Sequence, residues 1–259
     1  MTTPTNKSSR LLADSDVLNS LINESNISAT VEVIPEVTST QKVLLERDLE
    51  TLRPGLTLIT HHQTAGIGRL DRTWESQPGD GVMMSYVFRT SDPLLPLFVG
   101  AALVGALKKY LPQISLKWPN DLVIEIDTKT RKLGGIVLQR HPKDPELVVA
   151  GIGINLKFSD SRPTEEAISL QEVSDAQLNI SELIFEIIKE LSSPIVDVVS
   201  TYKRSCTTIG KKVRVQMLNS SDVIGHATDI SASGGLIVET ENGQVEVLTG
   251  DVKHLRANE

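Results

Sequence analysis

Apolar residues recur along this chain with two different periods, and the pattern changes character near its last fifth. Val17, Leu18, Leu21 and Ile22 share one face of a short helix that Ser15 is placed to cap. Residues 30–34 alternate as a strand does, and Pro35 is expected to end it. Ser39 or Thr40 then caps an amphipathic run that reaches Glu50. Further strands are predicted at 56–60, 82–88, 122–124, 136–138 and 147–156. Residues 93–111 read as a helix that is apolar on every side, which demands close burial against a sheet. The stretch 162–177 is loop-like, with room for one helical turn. Across 181–202, Leu183, Ile184, Ile187, Ile188 and Leu191 fall on one helical face, and Pro194 kinks or splits that helix.

After about Ser205 the runs become short and alternating: 213–217, 223–230, 236–239 and 245–248. Turns are expected at 219–221, at 233–235 and at Asn242-Gly243, a strong hairpin signal. Closely spaced strands in so short a segment predict a small β-barrel. The expected architecture is therefore α/β (α+β), a mixed sheet with helices, followed by that barrel. The expected division is a tail and short helix at 1–28, a main domain at 29–204 and the barrel at 205–259.

Composition narrows the function. With 259 residues, 39% of them apolar, the chain is long enough for a sizeable core. A net charge of −7 argues against bulk binding to nucleic acid or to an anionic membrane. The opening section is too short to place a helix-turn-helix domain before the first strand, which weighs against a transcription regulator. Cys206 is the one cysteine, so no internal disulfide is expected, as befits a reducing cytoplasm. With no cysteine cluster and five scattered histidines, there is no structural zinc spacing. Residues 1–10 are polar, neither signal peptide nor anchor, and the longest apolar run, 94–107, is too short to span a bilayer.

The chemistry concentrates in a few polar stretches. Residues 61–74 combine Gln63, Gly66, Gly68, Arg69, Arg72 and Trp74 behind an apolar strand. Glycines admit a ligand to the backbone, arginines grip phosphate or carboxylate, and an indole offers a flat surface. Lys117-Trp118-Pro119-Asn120-Asp121 sits between two strand-like runs, and Lys132 precedes Gly134 and Gly135. Gly151 and Gly153 alternate along a strand and leave one face open for something to lie flat against it. This Gly-x-Gly lacks the third glycine and the helix start of a dinucleotide fingerprint, and there is no P-loop.

In order, these stretches resemble the signatures of biotin protein ligases. Ser39-Thr40-Gln41 resembles the family's Ser-Thr-Asn corner. Residues 63–72 resemble its glycine/arginine loop, and Lys117 to Asp121, Lys132 to Ile136 and Val149 to Asn155 match three further signatures. The close of the chain, from Gly250 to Arg256, is similar to the end of the family's barrel. The resemblance covers nearly all of the chain after the tail, and the compact form without a DNA-binding domain is the one it looks like. It implies a biotin/lipoate ligase-like catalytic domain related in fold to class II tRNA synthetases, with an SH3-like C-terminal barrel.

It also implies a two-step reaction. Biotin and ATP give biotinyl-AMP, and a lysine of a biotin carboxyl carrier protein domain then takes the biotinyl group. ATP and Mg²⁺ are the implied cofactors, and a monomer or weak homodimer is the implied state. Ser39, Thr40, Gln41, Gln63, Ile67, Gly68, Arg69 and Lys132 match the biotin-binding positions. Lys132 and Arg69 match the catalytic ones. Arg72, Trp74, Lys117, Asn120 and Asn155 match positions for the nucleotide, and Asp121 for Mg²⁺ through water. Two departures stand out: Ile67 replaces an arginine and Asp71 a glycine, so the loop loses a cation and gains an anion. Two rival readings are a lipoate or octanoate ligase of related fold, and a non-catalytic protein that holds biotin adenylate.

Overall fold

The computed structural model describes residues 12–70, 72–174, 178–217 and 221–255. The expected tail at 1–10, Asp71 and part of the expected turn at 219–221 lie outside them.

Two long strands, β8 (Lys129–His141) and β9 (Asp144–Asn155), form the spine of a seven-stranded sheet. The others are β1 (Thr30–Val37), β2 (Leu56–Gln63), β5 (Gly81–Arg89), β6 (Ser115–Lys117) and β7 (Asp121–Ile126). Their order is β1-β2-β5-β9-β8-β7-β6. Only β1 and β2 run parallel; the remaining neighbours are antiparallel. β1 passes through Pro35 instead of stopping there. It is an edge strand with β2 as its one neighbour, so the missing N–H breaks no ladder bond. β7 and β8 meet in a two-residue turn in which Asp127 and Thr128 both take positive φ, the twist that suits a tight hairpin.

The alternation along β9 decides what lies on each side. Val148, Ala150, Ile152 and Ile154 join the main core with α1 (Ser15–Glu24), α3 (Leu95–Leu107) and α5 (Ile180–Leu191). Leu147 and Val149 face the other way, into a smaller cluster with Leu44 of α2 (Thr40–Leu45), Leu58 and Val87. Gly151 and Gly153 continue this second face, where the side chains run out.

The helices differ from expectation at their ends. Asp14, not Ser15, caps α1, because its carboxylate accepts from the backbone N–H groups of Asp16 and Val17. α2 is only six residues long and gives way to a 3-10 turn at Leu49–Thr51. The one helical turn expected in 162–177 is α4 (Leu170–Val173), closed by a capping box between Ser169 and Glu172. The segment with Pro194 splits: α5 ends at Leu191 and α6 (Val198–Lys203) restarts after Asp197.

The late strands are β10 (Lys212–Gln216), β11 (Val223–Ile230), β12 (Leu236–Thr240), β13 (Gly243–Val247) and β14 (Asp251–His254). They form an antiparallel sheet in the order β13-β12-β11-β10-β14, consistent with an SH3-like domain. Among the described residues no strand pairing joins β13 to β14, so the hydrogen-bonded ladder runs from β13 to β14 without closing. It packs on the rest of the chain: Val213, Ala227 and Leu236 share one buried cluster with Leu103 and Leu116. The Trp118 indole N–H donates to the Gly234 carbonyl at 3.1 Å. Lys203 pairs with Asp229 at 2.7 Å.

Candidate active site

The glycine face of β9 is the floor of a solvent-open cleft of about 460 Å³, the space at its mouth included. A Cβ on Gly151 would stand 3.1 Å from Gln41 Oε1, and one on Gly153 would stand 2.6 Å from the Trp74 indole. Both glycines therefore let a side chain of the protein itself lie flat on the sheet. Gln41 comes from α2 and is tied down by its amide, which donates to the carbonyls of Val137 at 3.0 Å and Val149 at 3.2 Å. Trp74 comes from β4 (Thr73–Trp74), which pairs with β3 (Gly66–Ile67) to form the stem of the glycine/arginine loop.

One end wall is a hydroxyl and amide relay. Ser39 is the N-cap of α2 and is buried. The Thr40 N–H donates to Gln63 Oε1 at 2.8 Å. A backbone nitrogen only donates, so this contact orients the Gln63 amide with its oxygen toward Thr40 and its NH₂ away. The Thr40 hydroxyl lies 2.8 Å from that of Ser85, which is wholly buried on β5. Ser85 was invisible in the motifs because it is a small polar residue in an apolar run, 45 residues from its partner.

The opposite wall carries the charges. A β-bulge between β7 and β8 pairs Leu122 with Gly134 but Val123 with Lys132. The slip turns Lys132 onto the face shared by Asp121 and Gly135. Lys132 Nζ stands 2.7 Å from Asp121 Oδ1, with side chains 39% and 18% exposed. Arg69 reaches across from the loop, donating to Asn120 Oδ1 at 2.7 Å and to the Gly250 carbonyl at 3.3 Å. Burial pulls its guanidinium below the usual arginine value, against the opposite pull of Asp251 and Asp121. Asn120 also donates to the Ile136 carbonyl at 3.1 Å, so its amide is engaged on both sides.

Of the residues singled out in the sequence, Ser39, Thr40, Gln41, Gln63, Ile67, Gly68, Arg69, Trp74, Asn120 and Lys132 line this one cleft. Four do not. Arg72 turns to Asp251 on β14. Lys117 lies on β6, close enough to His254 to disfavour its protonation. Asp121 reaches the cleft through Lys132. Asn155 donates to the carbonyls of Lys132 at 3.5 Å and Ile168 at 3.1 Å, and borders a second hollow of about 840 Å³ behind Trp74. That hollow is walled in part by Asp80, whose carboxylate takes both the N–H and the hydroxyl of Ser159.

A mixed sheet of this order, with a hydroxyl corner, a glycine floor and a lysine meeting in one cleft, belongs to the class of biotin/lipoate-type protein ligases. Residues 33–155 match the biotin/lipoate A/B protein ligase family, and residues 208–255 match the biotin protein ligase C terminal domain. The chain belongs to the biotin protein ligase family. It is 29% identical over 248 residues to a biotin–[acetyl-CoA-carboxylase] ligase of Mycobacterium tuberculosis, covering 87% of this chain and 89% of that one. It is 27% identical over 237 residues to the bifunctional ligase/repressor BirA of Bacillus subtilis, covering 84% and 71%. Its fold resembles that of the biotin protein ligase from Aquifex aeolicus solved in complex with biotin and ATP. There the TM-score is 0.73 and the identity 25%, over 88% of this chain and 99% of that one.

Proposed function

We propose that this protein joins biotin to AMP at the expense of ATP and passes the biotinyl group to a lysine of a biotin carboxyl carrier protein domain. One observation carries the reading: Lys132, Gln63 and Ser39 line a single cleft, although they lie on three separate elements. The relatives' names, and the Aquifex structure with biotin and ATP, support the choice of substrates.

In this reading the ureido ring sits at the Ser39–Thr40–Gln63 wall, where hydroxyls and an oriented amide offer donors and acceptors. Its apolar part lies against Trp74 and Val137, above the glycine floor that Gln41 and Trp74 cover. The carboxylate then points toward Lys132 and Arg69. A carboxylate oxygen attacks the α-phosphorus, the bond to the bridging oxygen breaks, and pyrophosphate leaves. Two anions approach each other in that step, so the cations of Lys132 and Arg69 offset their repulsion. In the second step the carrier amine attacks the acyl carbon of the anhydride, and AMP leaves.

Mg²⁺ fits here as an ion carried by the triphosphate. Asp121 supplies one carboxylate, already paired with Lys132, and no group of three metal-binding side chains exists among the described residues. Such an ion neutralises phosphate charge, and Asp121 would hold it through water.

The test is stepwise. Protein, ATP, Mg²⁺ and biotin should release pyrophosphate, and lipoate should not replace biotin. Adding a carrier domain should then yield biotinylated lysine. No pyrophosphate release would overturn the first step; release without labelling of the carrier would overturn the second.

A further inference from the structure

The chain carries a net charge of −7, yet one face of its C-terminal sheet is basic. Alternation along β10 and β14 sorts the side chains. Val213, Val215 and Val252 turn into the core, so Lys212, Arg214 and Gln216 turn outward together with Asp251 and Lys253. The register sets Arg214 opposite Lys253 and Gln216 opposite Asp251. On the other flank β11 sets the exposed Ile224 beside Arg214, and His226 beside Lys212. Like charges opposite each other on neighbouring strands destabilise a sheet, and an anionic partner relieves that cost. The carboxylates nearest the stripe are engaged: Asp222 pairs with Arg214 at 3.5 Å, and Asp251 pairs with Arg72. Glu239 on β12, opposite His226, bounds the stripe on its far side. Lys212 and Lys253 have no carboxylate partner among the described residues. The stripe also begins beside the cleft, because Arg69, which lines the cleft, donates to the carbonyl of Gly250 just before β14.

We infer that this face docks the carrier domain: an acidic surface beside the acceptor lysine meets Lys212, Arg214 and Lys253. This rests on the ligase reading above. The rest of the chain is acidic and repels such a domain, so the stripe is where an anionic surface is both attracted and oriented. A nucleic acid follows many phosphates and would meet the negative remainder of the chain, whereas a compact acidic face needs only the local patch. A second copy would set like charges against like if it used the same face. Exposed lysines at a rim act on encounter and are screened by salt, so they set how readily the carrier arrives and not how the anhydride forms.

The experiment uses the whole chain and a biotin carboxyl carrier domain. Labelling is followed at rising domain concentration, beside direct binding of the domain to the ligand-free protein and pyrophosphate release without it. Lys212→Glu combined with Lys253→Glu should raise KM for the domain about tenfold, as reversing two rim charges slows association, and leave kcat and pyrophosphate release within about twofold. Added salt should weaken binding to the wild type more than to the variant. Changing the carboxylates that flank the domain's acceptor lysine to amides should weaken the wild type and leave the variant unmoved, a coupling that a merely structural role would not give. An unchanged KM in the charge-reversed variant would overturn the inference. So would wild-type binding that ignores salt, or an oligonucleotide bound more tightly than the domain at the same salt. Direct binding separates this from the ligase reading. Salt-sensitive binding that the variant loses upholds the docking face even where no pyrophosphate is released. Labelling of the domain with KM unmoved by the variant refutes the face and leaves the ligase reading standing.

Discussion

Lys132 Nζ stands 2.7 Å from Asp121 Oδ1, a contact made between neighbouring strands through a bulge that brings both side chains to one face. The pair aims the ammonium along the cleft before any ligand is present. Asp121 is thereby a holder of the lysine as well as the proposed water-mediated contact to Mg²⁺. A lysine held this way must exchange part of that contact for the reacting carboxylate and phosphate.

Lys132→Ala should therefore lower single-turnover pyrophosphate release by about a hundred- to a thousandfold, the usual cost of removing one fixed charge from a reacting centre. The side chain is partly exposed and fills no core, so the melting temperature should move by only a few degrees. Unaltered release would remove Lys132 from the chemistry.

Gly153 tests the floor. Its missing Cβ is what lets the Trp74 indole lie against β9, at 2.6 and 2.7 Å from where that atom would be. Gly153→Ala should push the indole out and raise the dissociation constant for biotin at least tenfold, with the fold retained. The other tryptophan, Trp118, is buried in the core, so a change in tryptophan emission reports on Trp74. Unchanged emission and unchanged biotin affinity together would mean that the indole's seat on Gly153 is irrelevant to binding.

Ser85 tests the wall. The hydroxyl of Thr40 is shared between Ser85 and Gln63, so Ser85→Ala frees it to turn. Losing a buried hydroxyl partner costs about 1–3 kcal/mol. Part of that should appear as weaker biotin binding, on the order of three- to tenfold by calorimetry, and part as a lower melting temperature. A drop in stability with no loss of affinity would assign Ser85 to the core alone.

How far the site could be read in the sequence depended on how local its determinants are. The hydroxyl corner, the lysine and the alternating glycines are contiguous signals, and they converge on one cleft because strand alternation and one bulge place them there. Gly151 and Gly153 were legible as an open face; that the protein fills it with Gln41 and Trp74 was not, since those residues lie far off in the chain. Arg72 and Asn155 carry the family's motif types but are taken up by Asp251 and by two backbone carbonyls. Partners so distant leave no periodicity to detect. The fold reads in the same way. The long apolar helix and the core strands are plain, while β14, with four residues, is too short for its alternation to register. Helix ends move because Asp14 and Pro194 act at single positions.

His254 supplies a prediction about pH. It stands on β14 with Nε2 at 3.2 Å from the Thr208 hydroxyl and Nδ1 at 3.3 Å from the Thr130 hydroxyl, which ties the C-terminal sheet to β8. Burial first, then the charges of Lys117 and Lys211, push its pKa down to about 3 from an ordinary value of 6.5. The unfolded chain takes up a proton near pH 6.5 while the folded chain refuses it until about pH 3. Stability from this group is therefore full above pH 6.5 and is lost as the pH falls toward 3, at no more than about 1.4 kcal/mol per pH unit. His254→Gln keeps a donor and an acceptor at the site but does not titrate. Its melting temperature should fall less steeply than that of the wild type between pH 6.5 and 4, with the two curves closest in slope above pH 7. Parallel curves across the whole range would show that the imidazole is already as free to take a proton in the fold as out of it.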